Sequence, residues 1–266
     1  MVVKRPLYEK RHRLTSQIPN FWALVFEQAP PDIDEFIQPS DSSLLLTSLT
    51  HLSVTRFEIE NGGQGDPRSL CFRFEFSGND HFEDAVIEKR FWHRRSRGGW
   101  SGLVSEPVEI RWKKGKDLTG GLLGTVRKVW AAQQAHARTG GEPPRDLTAD
   151  ERALKKKIEN TGLGGLSFFA WFGYVGQNVS AEESREATEK ARTERLSRQE
   201  GNPSPVNDDG EDADEDEDEE DENELEIFPE GENLAIAISE DLWPNAIKYF
   251  SKFEENTLLI VAVGQC

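Results

Sequence analysis

LCFRFEFSGNDHFEDAVIEKRFWH (70–93) decides the reading of the fold. Leu70, Phe72, Phe74 and Phe76 alternate with Cys71, Arg73 and Glu75. Side chains along a strand point to opposite faces, so this is a half-buried strand with one aromatic face. Upstream, LSVTRFEIE (52–60) is rich in β-branched and aromatic residues, and NGGQGDP (61–67) is a turn cluster, so the two runs form a hairpin. Downstream, SGNDHFED is a short connection to a third strand, AVIEKRFWH (85–93). A Gly-rich turn (94–102) then leads to PVEIRW (107–112), where Val108, Ile110 and Trp112 share one face. Four strands with short links predict an antiparallel meander with one face covered by helices, an α+β fold.

The helices come from both flanks. Residues 4–17 hold Leu7, Tyr8 and Leu14 among charged residues and read as the last turns of a helix. Phe21, Trp22, Val25 and Phe26 follow at helical spacing and should pack inward, until Pro30-Pro31 stops them. A short helix over 32–37 is expected to end at Pro39, with Asp41 capping a further turn through Leu44–Leu46. After the strands, 122–137 is helical, and Thr148-Ala-Asp-Glu151 is a capping box opening a helix to about Asn160. SFFAWF (167–172) is too aromatic for water. Ser180-Ala-Glu-Glu183 opens a charged helix to about Gln199 with no apolar stripe, so a solvent-exposed helix is expected there. LAIAI (234–238) fits a strand or the lead-in to a helix, with Ile247, Tyr249, Phe250 and Phe253 beyond it.

Between these lies DDGEDADEDEDEEDENELE (208–226), in which 15 of 19 residues are acidic and none is basic. Outside it 34 acidic residues face 32 basic ones, so nearly all of the net charge of −17 is local. Packed like charges with no apolar area predict disorder. The run is either a solubilising tract or a flexible polyanion that competes with nucleic acid for a basic partner. Cys71 and Cys266 suggest neither a disulfide framework nor a zinc site, and MVVKRPLYEKRHRL lacks the apolar core of a signal peptide. A soluble intracellular protein is expected.

No catalytic pattern emerges. His12, His51, His81, His93 and His136 show no metal-ligand spacing, and His93 and Cys71 have no recognisable nucleophile–base pairing. There is no phosphate-binding glycine loop, and carboxylates in a disordered run are not held at catalytic geometry. Neither a cofactor nor a metal is expected, and the chain reads as a non-enzyme. Lys89, Arg90, Arg94, Arg95, Arg97, Arg111, Lys113, Lys114 and Lys116 make the sheet edge locally basic. We read this as a solvated face, because a chain of net charge −17 is repelled from phosphate at long range.

Five blocks together resemble the nucleosome-assembly-protein (NAP/SET) family of histone chaperones. They are IPNFW (18–22), FRFEFSGNDHFEDAVIEKRF (72–91), EIRWKKGKDLT (109–119), SFFAWF (167–172) and SEDLWPNAIKYF (239–250). Their balance is similar to the SET and fungal Vps-type branch. The resemblance implies an antiparallel sheet backed by helices (the earmuff domain), a long N-terminal helix that pairs two chains, and an acidic tail. It implies binding of core histones and help in nucleosome assembly, in the nucleus with shuttling to the cytoplasm. It also implies a second role, as partner of a histone acetyltransferase or inhibitor of a phosphatase. Direct sequence-specific nucleic-acid binding and membrane attachment are not implied.

The chain departs from that pattern at four places. Only 17 residues precede IPNFW, about 25 Å if fully helical, so either the family's homodimer is weak or absent here or the true start lies upstream. The segment 120–165 is long, a charged helix is inserted at 180–199, and NTLLIVAVGQC (256–266) is apolar where the family has acid. The expected organisation is a remnant dimerisation helix (1–17), the first part of the earmuff (18–178), a charged helix with a disordered acidic insertion (179–230), a closing helix (231–255) and an apolar tail (256–266). Histone contacts are expected at Asp208, Asp209, Glu211, Asp212, Asp214, Glu215, Asp216, Glu217, Asp218, Glu219, Glu220, Asp221 and Glu222. By resemblance the underside of the earmuff adds Asp117 and Thr119, which also suit a helix cap. Glu240 and Asp241 are further candidates, and they too read as a cap before Trp243. Leu7, Tyr8 and Leu14 are the expected dimerisation residues.

Overall fold

Phe72 and Phe74 sit in β2 (Leu70–Phe76), an inner strand of a four-stranded antiparallel sheet of order β1-β2-β3-β4. The computed structural model describes residues 5–138, 147–161, 165–199 and 225–253. β1 (Leu49–Thr55) and β3 (Val86–Arg95) flank β2, placing Phe74 between Leu52 and Ile87 and Phe72 between Val54 and Lys89. The alternation read from 70–76 is the buried-to-open alternation of the sheet, with Phe72 and Phe74 fully buried.

Two strands differ from expectation. β1 stops at Thr55, and Phe57–Gly62 is a 3-10 helix. The Glu58 carboxylate accepts hydrogen bonds from the Asp66 amide (3.1 Å) and the Ser69 hydroxyl (2.5 Å), which turns the chain back. The fourth strand is β4 (Ser101–Ser105), inside the stretch read as a turn, and not 107–112. The β3–β4 turn is confined to 96–100, where Gly99 takes φ of 99° and Ser96 donates to the Trp100 carbonyl. Pro107 then ends the ladder, because it has no N–H to donate. Beyond it, Val108 donates to the Phe172 carbonyl, so PVEIRW pairs with the aromatic block instead of the sheet.

Helices cover the aromatic face. α1 (Arg5–Thr15), α2 (Phe21–Glu27), α3 (Pro31–Asp34) and α4 (Pro39–Ser48) precede the sheet. Pro39 starts α4 and does not end α3, since a missing N–H costs nothing in a first turn. α5 (Leu122–Arg138) and α6 (Ala149–Thr161) follow it. The capping box of α6 is made by both bonds: Thr148 N–H to Glu151 at 2.8 Å and Glu151 N–H to Thr148 Oγ1 at 3.3 Å. α7 (Ala181–Gln199) is a helix as read, but its first turns are docked. Ser184 and Ala187 are buried, and Ser184 Oγ accepts the Arg95 N–H at 3.0 Å. Small side chains make this contact, so no apolar stripe announces it. LAIAI is helical, in α8 (Gly231–Ala237), which runs into a π-helical turn (Ile238–Leu242) and then α9 (246–253).

Phe168–Gly173, a 3-10 helix, plugs the core, and Phe168, Phe169, Trp171 and Phe172 are all fully buried. Trp171 packs against Phe72 (5.1 Å between centroids) and Phe91 (5.3 Å), and its Nε1 donates to the Gly231 carbonyl. Asp41, fully buried at the start of α4, holds the plug in place. It accepts hydrogen bonds from the Ser167 hydroxyl (2.6 Å), the Phe168 amide (2.7 Å) and the Gln38 amide (3.0 Å). Asp41 therefore sits at the third position of α4 and caps a segment far away in sequence as well. Burial pushes its carboxyl above the usual range, opposed by those three donors. Asp41→Asn keeps the shape but turns an amide N–H₂ toward donors. We expect a loss of about 2–3 kcal/mol in urea unfolding with an unchanged slope; an unchanged midpoint would show that the plug does not depend on Asp41.

Candidate functional site

Residues 200–224, which include every acidic candidate from Asp208 to Glu222, lie outside the described residues, as do 256–266. The structure places what flanks the run. On one side is α7. On the other, Glu226 is locked: one carboxylate oxygen accepts the Val175 and Gly176 amides (2.9 and 3.0 Å), the other the Phe228 amide (2.9 Å). Ile227 and Phe228 are buried directly after it. The last acid of the run is thus fixed to the segment that leads into α7.

Beneath this anchor lies Lys89, which the sequence places in a basic edge. It is instead fully buried, on the core face of β3. Its Nζ donates to the carbonyls of Glu106 (2.8 Å), Phe172 (3.1 Å) and Tyr174 (2.6 Å). Burial pushes the ammonium down to about 7, opposed by the nearby Glu226 and Glu106 carboxylates. Part of the rest of the basic edge is paired: Arg97 with Glu186 (2.7 Å), Arg111 with Asp84 (2.7 Å), Arg90 with Glu88 (3.5 Å), and Lys113 with the Asn79 carbonyl (2.6 Å).

Asp117 and Thr119 form the turn that leads into α5. Asp117 accepts the Thr119 amide and hydroxyl (2.8 and 2.7 Å) and the Gly121 amide (3.0 Å), while Thr119 Oγ1 accepts the Leu123 amide (3.3 Å). Thr119 is buried, so it bears on the surface only through Asp117 and the helix it caps. Glu240 is exposed in the π-helical turn. Asp241 lies in the same turn, not at a cap before Trp243, and accepts hydrogen bonds from the Tyr249 hydroxyl (2.6 Å) and the Asn245 amide group (2.8 Å). The Tyr249 hydroxyl holds Asp241 below the usual carboxylate range.

The three α1 candidates divide by face. Leu7 and Leu14, two turns apart, are 65% and 58% exposed. Tyr8 turns inward and its ring lies 4.2 Å from Trp243. Arg11, which sequence reasoning missed, joins it: its guanidinium sits 4.5 Å from the Trp243 ring and 5.4 Å from Trp22, and donates to the Trp243 carbonyl. His12 approaches His51 (3.2 Å between Nδ1 atoms), and the same His51 nitrogen accepts the Trp22 indole N–H at 3.2 Å. The signal lay in the IPNFW and DLWPN blocks, whose tryptophans need a cover.

His93, read as unpaired, does meet a hydroxyl: its Nε2 is 3.1 Å from Ser101 Oγ. The carboxylate behind it, Asp66, holds Arg68 with both oxygens and lies 3.4 Å from His93 Nδ1. That separation is long for a hydrogen bond that would orient a catalytic base. The group braces the β3–β4 hairpin.

A sheet backed on one face by helices, with an acidic insertion anchored beside its last strand, defines a class of acidic binding protein. The chain belongs to the nucleosome assembly protein family, whose domain model matches residues 4–252. It is 25% identical over 259 residues to NAP1-related protein 1 of Oryza sativa, across 97% of this chain and 66% of that protein. It is 33% identical over 126 residues to Protein SET of Drosophila melanogaster, across 46% of this chain and 43% of that one. The chain thus spans less than two thirds of the length of these relatives. Among solved structures, the Vps75 histone chaperone superposes with a TM-score of 0.56 at 21% identity, covering 96% of this chain and 87% of that one, which shows a shared fold.

The Lys89 anchor carries a pH signature. Its folded pKa of about 7 lies below the ordinary 10.5. Between those values only the unfolded chain holds the proton, so stability rises with pH across the window. The advantage of wild type over Lys89→Met, measured by urea unfolding, should be larger at pH about 9.5 than at pH about 7. An equal difference at the two pH values would contradict the assignment.

Proposed function

We propose that this chain is a histone chaperone that binds core histones, shields them from non-specific DNA contacts and assists nucleosome assembly. The observation that supports this most is the acidic run, 15 acids in 19 residues, set into a nearly neutral domain of this family. Histones hold DNA largely through Lys and Arg with release of counterions. A dense carboxylate run competes for the same cations and yields them where ordered wrapping of DNA is more favourable. The contacts are Asp208–Glu222, with Glu240 on the domain, and Asp117 and Asp241 adding charge through carboxylates already held by cap and hydroxyl donors. In this reading residues 18–178 and 231–255 form the histone-facing domain, and 179–230 interrupt it.

The protein acts by binding alone, in chromatin and therefore in the nucleus, with shuttling as a further expectation. Leu7 and Leu14 form the open face through which a second copy would pair. An acetyltransferase or phosphatase partner is the finer expectation, and such a partner would be retained after replacement of the acids in 208–222.

Mixing core histones with DNA at moderate salt gives insoluble aggregates, which turbidity follows. The chain should suppress them at near-stoichiometric ratios. A variant with the acids of 208–222 replaced by Ser should need at least about tenfold more protein. Failure of the native chain to reduce aggregation would overturn the proposal.

A further inference from the structure

The β3–β4 hairpin turns through RRSRGGW (94–100), and its tip is Arg97-Gly98-Gly99. Arg97 is the one arginine of the chain followed directly by glycine. The turn is tied at its base. Ser96 donates its N–H to the Trp100 carbonyl (2.9 Å), and its hydroxyl accepts the Trp100 N–H (3.1 Å). Beyond those bonds Arg97, Gly98 and Gly99 are all exposed. Gly99 takes φ of 99°, which favours glycine, and a methyl group on its Cα would meet nothing within 4 Å. The Arg97 side chain is 73% exposed, and its Nη2 donates to the Glu186 carboxylate of α7 at 2.7 Å.

Other arginines nearby are placed differently. Arg94 is half-buried, with the Glu58 and Asp66 carboxylates close by. Arg95 ends β3 and gives its N–H to Ser184. Arg185 is as exposed as Arg97, but it lies within α7 and pairs with Glu182 one turn earlier. A guanidinium that is to be alkylated must enter a narrow cleft at the end of its stem, and the chain beside it must be slim enough to follow. Helix neighbours three and four residues away crowd such an approach, and so do side chains two apart on one strand face. Two glycines at an exposed turn leave it open.

We propose that Arg97 is a methylation site, the acceptor for an arginine methyltransferase that uses S-adenosylmethionine. A terminal guanidinium nitrogen attacks the sulfonium methyl carbon. The N–C bond forms as the S–C bond breaks, and sulfur keeps the electron pair and leaves as S-adenosylhomocysteine. The nitrogen gives its proton to a base of the transferase. The product keeps its positive charge and loses one N–H for each methyl gained. Methyl groups on Nη2 therefore remove donors to Glu186, while the Arg97 amide still donates to Glu183 (3.1 Å). The mark loosens one side-chain link between the hairpin and α7 without changing net charge. In the other direction, Glu186 must release the guanidinium before a transferase takes it. An exposed ion pair is worth little, so this restraint on the reaction is small. None of these steps depends on histone binding.

The full chain, incubated with S-adenosylmethionine and an arginine methyltransferase that acts on Arg-Gly-Gly peptides, should gain methyl groups at Arg97, located by tandem mass spectrometry. An Arg-Gly-Gly peptide in the same tube serves as the standard. A methylated standard beside an unmodified Arg97 would overturn the site, and so would methyl groups confined to other arginines. Glu186→Ala should raise the initial rate at Arg97 about two- to fivefold, the factor that an exposed ion pair supplies. Glu189→Ala, which removes the same charge from an exposed position one turn further along α7, should leave the rate unchanged. Equal rates in all three proteins, or the same rise in both variants, would overturn the restraint by Glu186.

Discussion

One buried side chain ties this architecture together. Lys89 reaches from β3 through the core face of the sheet and donates to three carbonyls, from Glu106, Phe172 and Tyr174. Glu106 directly follows β4, while Phe172 and Tyr174 lie at the end of the aromatic plug. Burial disfavours the charged form of this group and pushes it down to about 7, while the three carbonyls satisfy its N–H donors and the nearby Glu226 opposes the loss of its proton. The Tyr174 hydroxyl closes the same junction by donating to the Leu103 carbonyl at 2.9 Å. Through this one residue the sheet, the plug and the end of the acidic insertion become a single unit.

The consequence for function is where the charge sits. A free acidic tail explores a large volume and presents its carboxylates far from any shaped surface. Here Glu226 is fixed beside β4 and the first turns of α7 are fixed on the β3–β4 hairpin, so the run is tethered to the domain through both of its flanks. Tethering at two points shortens its reach and raises its local concentration, at a closure cost that grows only slowly with length. Several arginines of the domain, among them Arg90, Arg97 and Arg111, are paired with carboxylates of the domain itself.

Much of this was legible in the sequence because it rests on local patterns. The period of two in 70–76, the capping boxes at 148 and 180, and the insolubility of SFFAWF each follow from a few adjacent residues. What was not legible rests on long-range pairing. Nothing near Lys89 says that it points inward, because its three acceptors are carbonyls, which every residue carries. Pro107 opens a run that reads as a strand, and only the partnership of Val108 with Phe172 shows where the chain goes. Asp41 reads as a local cap, and half of its role lies at Ser167 and Phe168. For the candidate site, the run itself was evident from charge. The cap at Asp117 was also open to the sequence, whereas the Tyr249 hydroxyl that occupies Asp241, and the inward turn of Tyr8, required the geometry.

The central claim is that placement of the acidic run, and not its charge alone, sets histone affinity. Moving residues 208–224 to follow Cys266, with a Gly/Ser segment of equal length in their place, keeps composition and net charge. Titration of a labelled core-histone dimer against both proteins at moderate salt tests the claim directly. The account predicts weaker binding by the transposed protein, by about fivefold or more. Equal affinity would contradict it and show that net charge alone governs binding.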